Sequence, residues 1–301
     1  MYWGVWNAVF SLVGVVVFSV SLLYSENLSF FWLFLELVVL CLIPGFFARY
    51  TSTVLCALLI YIVVGSLSSS FMLMGILDPS LVFFFVLGFL VKFAVFPFFS
   101  WVYNVVLSCS SWVIWLLSTF FKVPFSFICL VFCGLVAGFY SVVLFLCIVS
   151  FLFLAFFMWT YSFNWRSVWC HMMVSSSCVL VMASLSMSSG LLWCFFLGYF
   201  VWSTLTIFFL FVSGSFDFDL VFGFGGSFGL FFWFGFVFFL LTTPVSFSFF
   251  YKVLASFCVY SCGWLMMFAW VVYGLSEQFF LLKYLVSSFV TKVSFNWFCL
   301  V

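Results

Sequence analysis

The 301-residue chain is 69% hydrophobic and 27% aromatic, and its 7 basic and 6 acidic side chains leave a formal charge of +1. Charged residues make up 4% of it, against roughly 25% in a water-soluble domain, so no water-facing surface can be built and lipid is the expected solvent. That argues against nucleic acid and large soluble ligands as partners, and runs that are apolar on every face exclude a β-barrel.

At about 27 residues for each membrane span with its connection, the length predicts about eleven transmembrane helices: an all-α polytopic fold in a single domain, 1–301. The first six spans are expected near 5–24, 28–47, 53–76, 80–102, 111–133 and 137–160. Glu36 lies inside the second, Lys92 inside the fourth and Lys122 inside the fifth. The second half predicts 167–187 with His171, 190–212, and 228–254 with Lys252, interrupted at Thr242, Thr243 and Pro244. Spans at 256–275 and 279–300 close the chain. Glu26, Arg49, Asp78, Arg166, Asp217, Asp219 and Glu277 fall in the connections and read as solvated ends.

Arg49 and Arg166 both follow even-numbered spans, so the positive-inside rule places them, and the N-terminus, on one cytoplasm-like side. Residues 1–10 carry no basic or amphipathic leader, and the first positive charge is Arg49. The 55 phenylalanines exceed what a bilayer requires. Phe, Val, Leu, Cys and Trp share codons rich in T and G, which points to a strand-biased organellar gene made where it is used.

The charges inside the spans carry most of the functional information. Lys92 and Lys122 are expected about 10 residues from either end of their helices, hence roughly 15 Å from either surface at 1.5 Å per residue, beyond the reach of snorkelling. Each buried charge costs roughly 2.5–3.5 kcal/mol on insertion scales, so Glu36, Lys92, Lys122 and Lys252 together, left alone, would cost on the order of 10–14 kcal/mol. Structural ion pairs could offset this, but one Glu36 cannot neutralise three lysines. At least two lysines are therefore expected to be hydrated or titrating. Lysine, unlike arginine, can release its proton when desolvated, and a midplane row of lysines suits a proton relay.

Other signals are weaker. His171 shares a helical stripe with Ser167, Ser175, Cys178 and Ser186, which reads either as the lining of a water chain or as a histidine near a helix end satisfied by a carbonyl, on an ordinary serine-rich packing face. Gly223, Gly225, Gly226 and Gly229 fail the spacing of a dinucleotide loop. The twelve cysteines contain no CxxC and read as small buried hydrophobes. One histidine with no clustered ligands predicts neither a metal nor a haem or flavin site. Asn27, Leu28 and Ser29 form a glycosylation sequon that matters only in a secretory protein.

Five segments in order resemble the mitochondrial NADH dehydrogenase subunit 2 family, antiporter-like membrane subunits of respiratory complex I. Glu36-Leu-Val-Val-Leu-Cys-Leu-Ile-Pro44 is similar to E-x-N-x-L-x-F-I-P. Leu90-Val-Lys92-Phe-Ala-Val-Phe-Pro97-Phe-Phe-Ser-Trp101-Val is similar to L-x-K-x-G-x-A-P-F-H-x-W-V. Leu116-Leu-Ser-Thr-Phe-Phe-Lys122-Val-Pro124 is similar to L-L-T-W-Q-K-x-A-P. Thr242-Thr-Pro244-Val-Ser-Phe-Ser-Phe-Phe-Tyr-Lys252 keeps the proline-to-lysine spacing of G-L-P-P-L-T-G-F-x-x-K, and Tyr199 with Ser203, Thr204 and Thr206 adds a fifth match. Asn104, Ser175 and Val245 depart from the family, which often has glutamate, histidine and a second proline there.

The resemblance implies a core membrane-arm subunit of complex I in the mitochondrial inner membrane, an obligate hetero-oligomer with the other membrane-arm subunits. Glu36 and Lys92 would be an electrostatic pair that opens and closes, Lys122 the central relay lysine, Lys252 the lysine nearest the exit, and His171 a further relay candidate. NADH, FMN, iron–sulfur clusters and ubiquinone would belong to partner subunits, with no cofactor in this chain. The alternative from another class is a stand-alone cation/proton antiporter, which usually has fourteen spans. A third is an orphan polytopic receptor or assembly protein, which use of Asn27 as a glycan site would single out.

Overall fold

The computed structural model describes residues 2–48, 51–124, 137–162, 164–212 and 227–298. Their regular structure is entirely helical: α1 Tyr2–Leu23, α2 Leu28–Phe46, α3 Ser52–Leu77, α4 Val82–Lys92, α5 Ser100–Ser108, α6 Ser111–Ser118, α7 Tyr140–Thr160, α8 Trp165–Ser186, α9 Ser189–Val212, α10 Ser227–Phe239, α11 Phe247–Tyr260 and α12 Trp264–Phe298. Seven of these are long and apolar enough to cross a membrane, and the chain is a multi-pass membrane protein. Arg49, Asp217, Asp219, Gly223, Gly225 and Gly226 lie outside the described residues.

The arrangement inverts that of a soluble protein. Val5, Phe10, Val13, Val17 and Val20 of α1 point outward, while Ser11, Val15, Ser19 and Leu22 face the interior. A helix with six serines lies at the centre: every residue of α8 from Trp165 to Ser184 is buried, against α5, α7, α9 and α11. Its serines stay there because their hydroxyls donate to carbonyls of their own helix, Ser175 to Met172, Ser177 to Met173 and Ser184 to Val181, leaving small side chains that let neighbours approach.

Eleven separate spans are not reached among the described residues. In place of helices at 256–275 and 279–300, α11 ends at Tyr260 and α12 runs unbroken for 35 residues, about 50 Å at 1.5 Å per residue. The polar cluster around Glu277 that suggests a connection is interior to this helix. Its side chains meet partners on another helix, so no loop is needed to hydrate them.

The expected fourth and fifth spans are also broken, and the breaks fall at the lysines. Lys92 is the last residue of α4, and Lys122 ends a 3-10 turn, Phe120–Lys122, that follows α6. Neither sits mid-helix. α4 closes with two crossed hydrogen bonds, Val95 N–H to Leu90 C=O at 3.1 Å and Ala94 N–H to Val91 C=O at 3.2 Å, the Schellman pattern of a helix C-terminus. The indole of Trp101 also donates to Val91 C=O, at 3.0 Å. The pattern needs a left-handed residue, and Ala94 supplies it with φ +56, at the place where the resembled segment has glycine. Ala94 is also buried. Ala94→Val is expected to destabilise the protein by about 2–3 kcal/mol through left-handed strain and overpacking, and Ala94→Gly to stay within about 1 kcal/mol of the parent. Thermal unfolding midpoints of the purified variants check this, and equal midpoints would reject it.

Pro244 does interrupt its span as expected: α10 and α11 are separated by residues 240–246. Close approach of α3 and α4 depends on Gly88, where an added Cβ would lie 2.5 Å from the Ser68 carbonyl oxygen. Arg166 is not a solvated end. It is buried and donates to the carbonyls of Val106, at 3.1 Å, and Cys109, capping the exit of α5 where cations are favoured. Asp78, outside the spans, accepts from Ser80 N–H and Oγ, which hold its carboxyl below the usual carboxylate range.

Candidate functional site

Lys92 and Lys122 lie at helix breaks and Lys252 lies inside α11, beyond the break at Pro244, and each is held differently. Lys92, 3% exposed, lies 3.4 Å from Glu36 Oε1, whose residue is 23% exposed. Its ammonium also sits 5.9 Å from the centre of the Phe121 ring, within cation–π range. A small apolar cavity of about 10 Å³ adjoins it, bordered by Ser19, Leu22 and Pro124, at the threshold for one water.

Lys122 is 2% exposed and has no carboxylate partner among the described residues. Its Nζ donates to Met173 C=O at 2.9 Å, Ser176 Oγ at 2.6 Å and Tyr199 O–H at 2.8 Å. Three acceptors match the three donors of an ammonium. Two come from α8, the helix buried all round, and the third from α9. The Tyr199 ring also lies beneath the ammonium, 4.3 Å to its centre.

Lys252 has a partner that sequence reasoning missed. Its Nζ lies 2.7 Å from Glu277 Oε1, with the lysine 20% and the glutamate 3% exposed. Glu277 is therefore a buried counter-ion and not a solvated end. The expectation that one acid must serve three lysines is corrected: two lysines have their own carboxylate, and only Lys122 has neutral partners. The signal was the imbalance of charge itself, which called for a second acid among those assigned to connections.

Between Lys122 and the Lys252–Glu277 pair lies a cavity of about 30 Å³, room for roughly two waters. Ser176, which accepts from Lys122, borders it together with Ser175, Lys252, Tyr273 and Glu277. The Tyr273 hydroxyl is buried with no hydrogen-bond partner among the described residues. A wall of aromatic rings closes the other side, Tyr199 against Tyr251 at 5.7 Å and Tyr251 stacked on Trp202 at 4.7 Å.

His171 is fully buried. Its Nδ1 is 2.5 Å from the Tyr103 hydroxyl, and its Nε2 has no partner among the described residues. One ring nitrogen is thus partnered by a tyrosine from α5 and not by a carbonyl, and Tyr103 is a second residue that sequence reasoning missed. Among the described residues no three His, Cys, Asp or Glu side chains come together in a way that could hold a metal ion.

No family model matches the chain, and no curated protein matches it. A search of solved structures finds a chain in the structure of the Mrp complex from Dietzia sp. DQ12-45-1b, with a TM-score of 0.71 at 16% identity, covering 91% of this chain. The match spans 59% of that chain's length. At this identity the likeness is one of fold.

Proposed function

We propose that this chain is a proton-translocating, antiporter-like subunit of a larger membrane complex. The observation that carries the reading is Lys122, a buried ammonium seated on neutral oxygens and joined through Ser176 to a cavity that borders a second lysine. Keeping a permanent charge there gains nothing for stability that an apolar side chain could not supply, whereas a lysine that gives up and regains its proton justifies the arrangement. Glu36–Lys92, Lys122 and Lys252–Glu277 act in sequence, with protons passed by way of side-chain hydroxyls and water. Moving one proton against 100 mV takes about 2.3 kcal/mol, the scale of making or breaking one poorly solvated ion pair.

In its finer form the reading is a subunit of respiratory complex I in the mitochondrial inner membrane, resembling the subunit 2 family. NADH, FMN, iron–sulfur clusters and ubiquinone are then held by partner subunits, and their redox chemistry drives the lysine row. The five ordered segments and the organelle-like composition support it. The fold shared with a chain of an Mrp complex supports a second reading, a cation/proton antiporter subunit driven by an ion gradient. Vesicles containing the native assembly distinguish them through a pH-sensitive dye. Acidification driven by NADH oxidation and absent with an imposed sodium gradient is the expected result; the reverse selects the antiporter, and neither rejects both.

A further inference from the structure

The break between α10 and α11 leaves backbone groups without helical partners, and side chains satisfy them. Trp202 donates to Phe239 C=O at 3.0 Å, Ser248 to Leu241 C=O at 2.7 Å and Ser246 to Thr243 C=O at 2.7 Å. One of these contacts differs from the rest. The Thr242 N–H donates to Gln278 Oε1 at 3.0 Å, and the Nε2 of the same amide donates to Glu277 Oε1 at 3.1 Å. That carboxylate oxygen is the one paired with Lys252 at 2.7 Å.

The two ends of the amide fix its orientation. Turned over, it would set an amine against the Thr242 N–H and an oxygen against the carboxylate, losing both bonds. The side chain therefore spans from the unwound backbone to the ion pair, and each bond supports the other by polarising the amide. Gln278 lies on α12, outside the segment that contains Pro244 and Lys252, so it ties two elements that the broken helix alone would leave independent.

We propose that Gln278 is a positioning residue that couples the charge on Glu277 to the backbone of the α10–α11 break. This rests on Lys252 being a proton carrier. When a proton passes from Lys252 Nζ to Glu277 Oε1, one N–H bond breaks and one O–H bond forms, and both groups become neutral. Glu277 then holds the Gln278 amine more weakly, since a hydrogen bond to a charged acceptor is about twice as strong as one to a neutral acceptor. The amide is released, the Thr242 N–H loses its fixed acceptor, and the break becomes free to rearrange at the moment the lysine is discharged. The other side chains that satisfy the break have no such link, so the response is confined to Thr242.

Hydrogen–deuterium exchange at the Leu241–Thr243 amides of the intact assembly in mild detergent tests this. Gln278→Met is expected to speed exchange at Thr242 roughly five- to tenfold, the scale of one lost hydrogen bond. A merely structural glutamine predicts that result too, so the deciding variants alter charge and leave Gln278 in place. Glu277→Gln, which makes the acceptor of the Gln278 amine neutral, is expected to speed the same amide at least about threefold while Ser246 and Ser248 amides stay unchanged, and Lys252→Met, which leaves Glu277 charged, is expected to leave Thr242 no faster relative to those amides. Unchanged Thr242 exchange in Glu277→Gln overturns the coupling. Lys122→Met is the control: if it leaves both proton transport and Thr242 exchange at parental levels while Glu277→Gln responds, the translocation reading fails and the coupling stands.

Discussion

Replacing Lys122 by methionine is expected to abolish the proposed proton translocation, by at least about 100-fold, the scale on which a positioned proton donor acts, while the protein still folds and assembles. Methionine has nearly the length of the lysine stem and fills the same space. It leaves Ser176 and Tyr199 without one donor, a loss of about 1–2 kcal/mol, but also removes the desolvation penalty of a buried ammonium, so the net change in stability is small. Lys122→Arg is expected to fail as well. Arginine keeps the charge but does not surrender its proton, and the seat offers three oxygens to a point charge, not a planar fork. Transport in reconstituted vesicles, normalised to assembled protein, is the measurement, and parental rates in both variants would remove Lys122 from any relay.

The Lys252–Glu277 pair responds in the opposite way, through stability. Lys252→Met leaves a carboxylate that is 3% exposed without its counter-ion, and breaking a buried pair from one side costs about 3–5 kcal/mol. Glu277→Leu strands a lysine that is 20% exposed and can draw closer to water, so its cost is expected to be about half as large. The double substitution Lys252→Met with Glu277→Leu is expected to return to within about 1 kcal/mol of the parent, since an apolar pair of similar volume replaces a buried ion pair at little loss. It is not expected to restore the proposed transport. Unfolding midpoints and assembled yields measure the first three outcomes. Additive single effects would mean that the two groups do not interact energetically.

The all-helical fold follows from composition, because in lipid every backbone group must be bonded within its own element and no alternating pattern offers a barrel. The helix breaks were harder to place. Lys92 and Phe93 lie in an unbroken apolar run, and the residue that turns the chain there is Ala94, which carries no sequence signal for a left-handed conformation. Pro244 was legible because a proline removes a donor wherever it stands. Glu277 was misread for a physical reason: a polar cluster in an apolar chain marks either a solvated loop or a pair of partners across a helix interface, and only the fold separates them. Lys122 and Lys252 stand out in the sequence by the cost of burying them, yet the groups that meet them, Met173 C=O, Tyr199 and Glu277, come from elements distant in sequence. Tyr103 beside His171 is the same case.

The seat of Lys122 differs from those of its neighbours in what it is made of. Glu36 and Glu277 can each accept a proton and so quench the charge they balance. A peptide carbonyl such as that of Met173 has no such option at any physiological acidity, and its dipole stays in place whether or not the lysine is charged. In the proposed relay the proton on the central lysine therefore cannot be trapped by its own binding partner, and the middle of the row is where back-transfer into a salt bridge cannot occur.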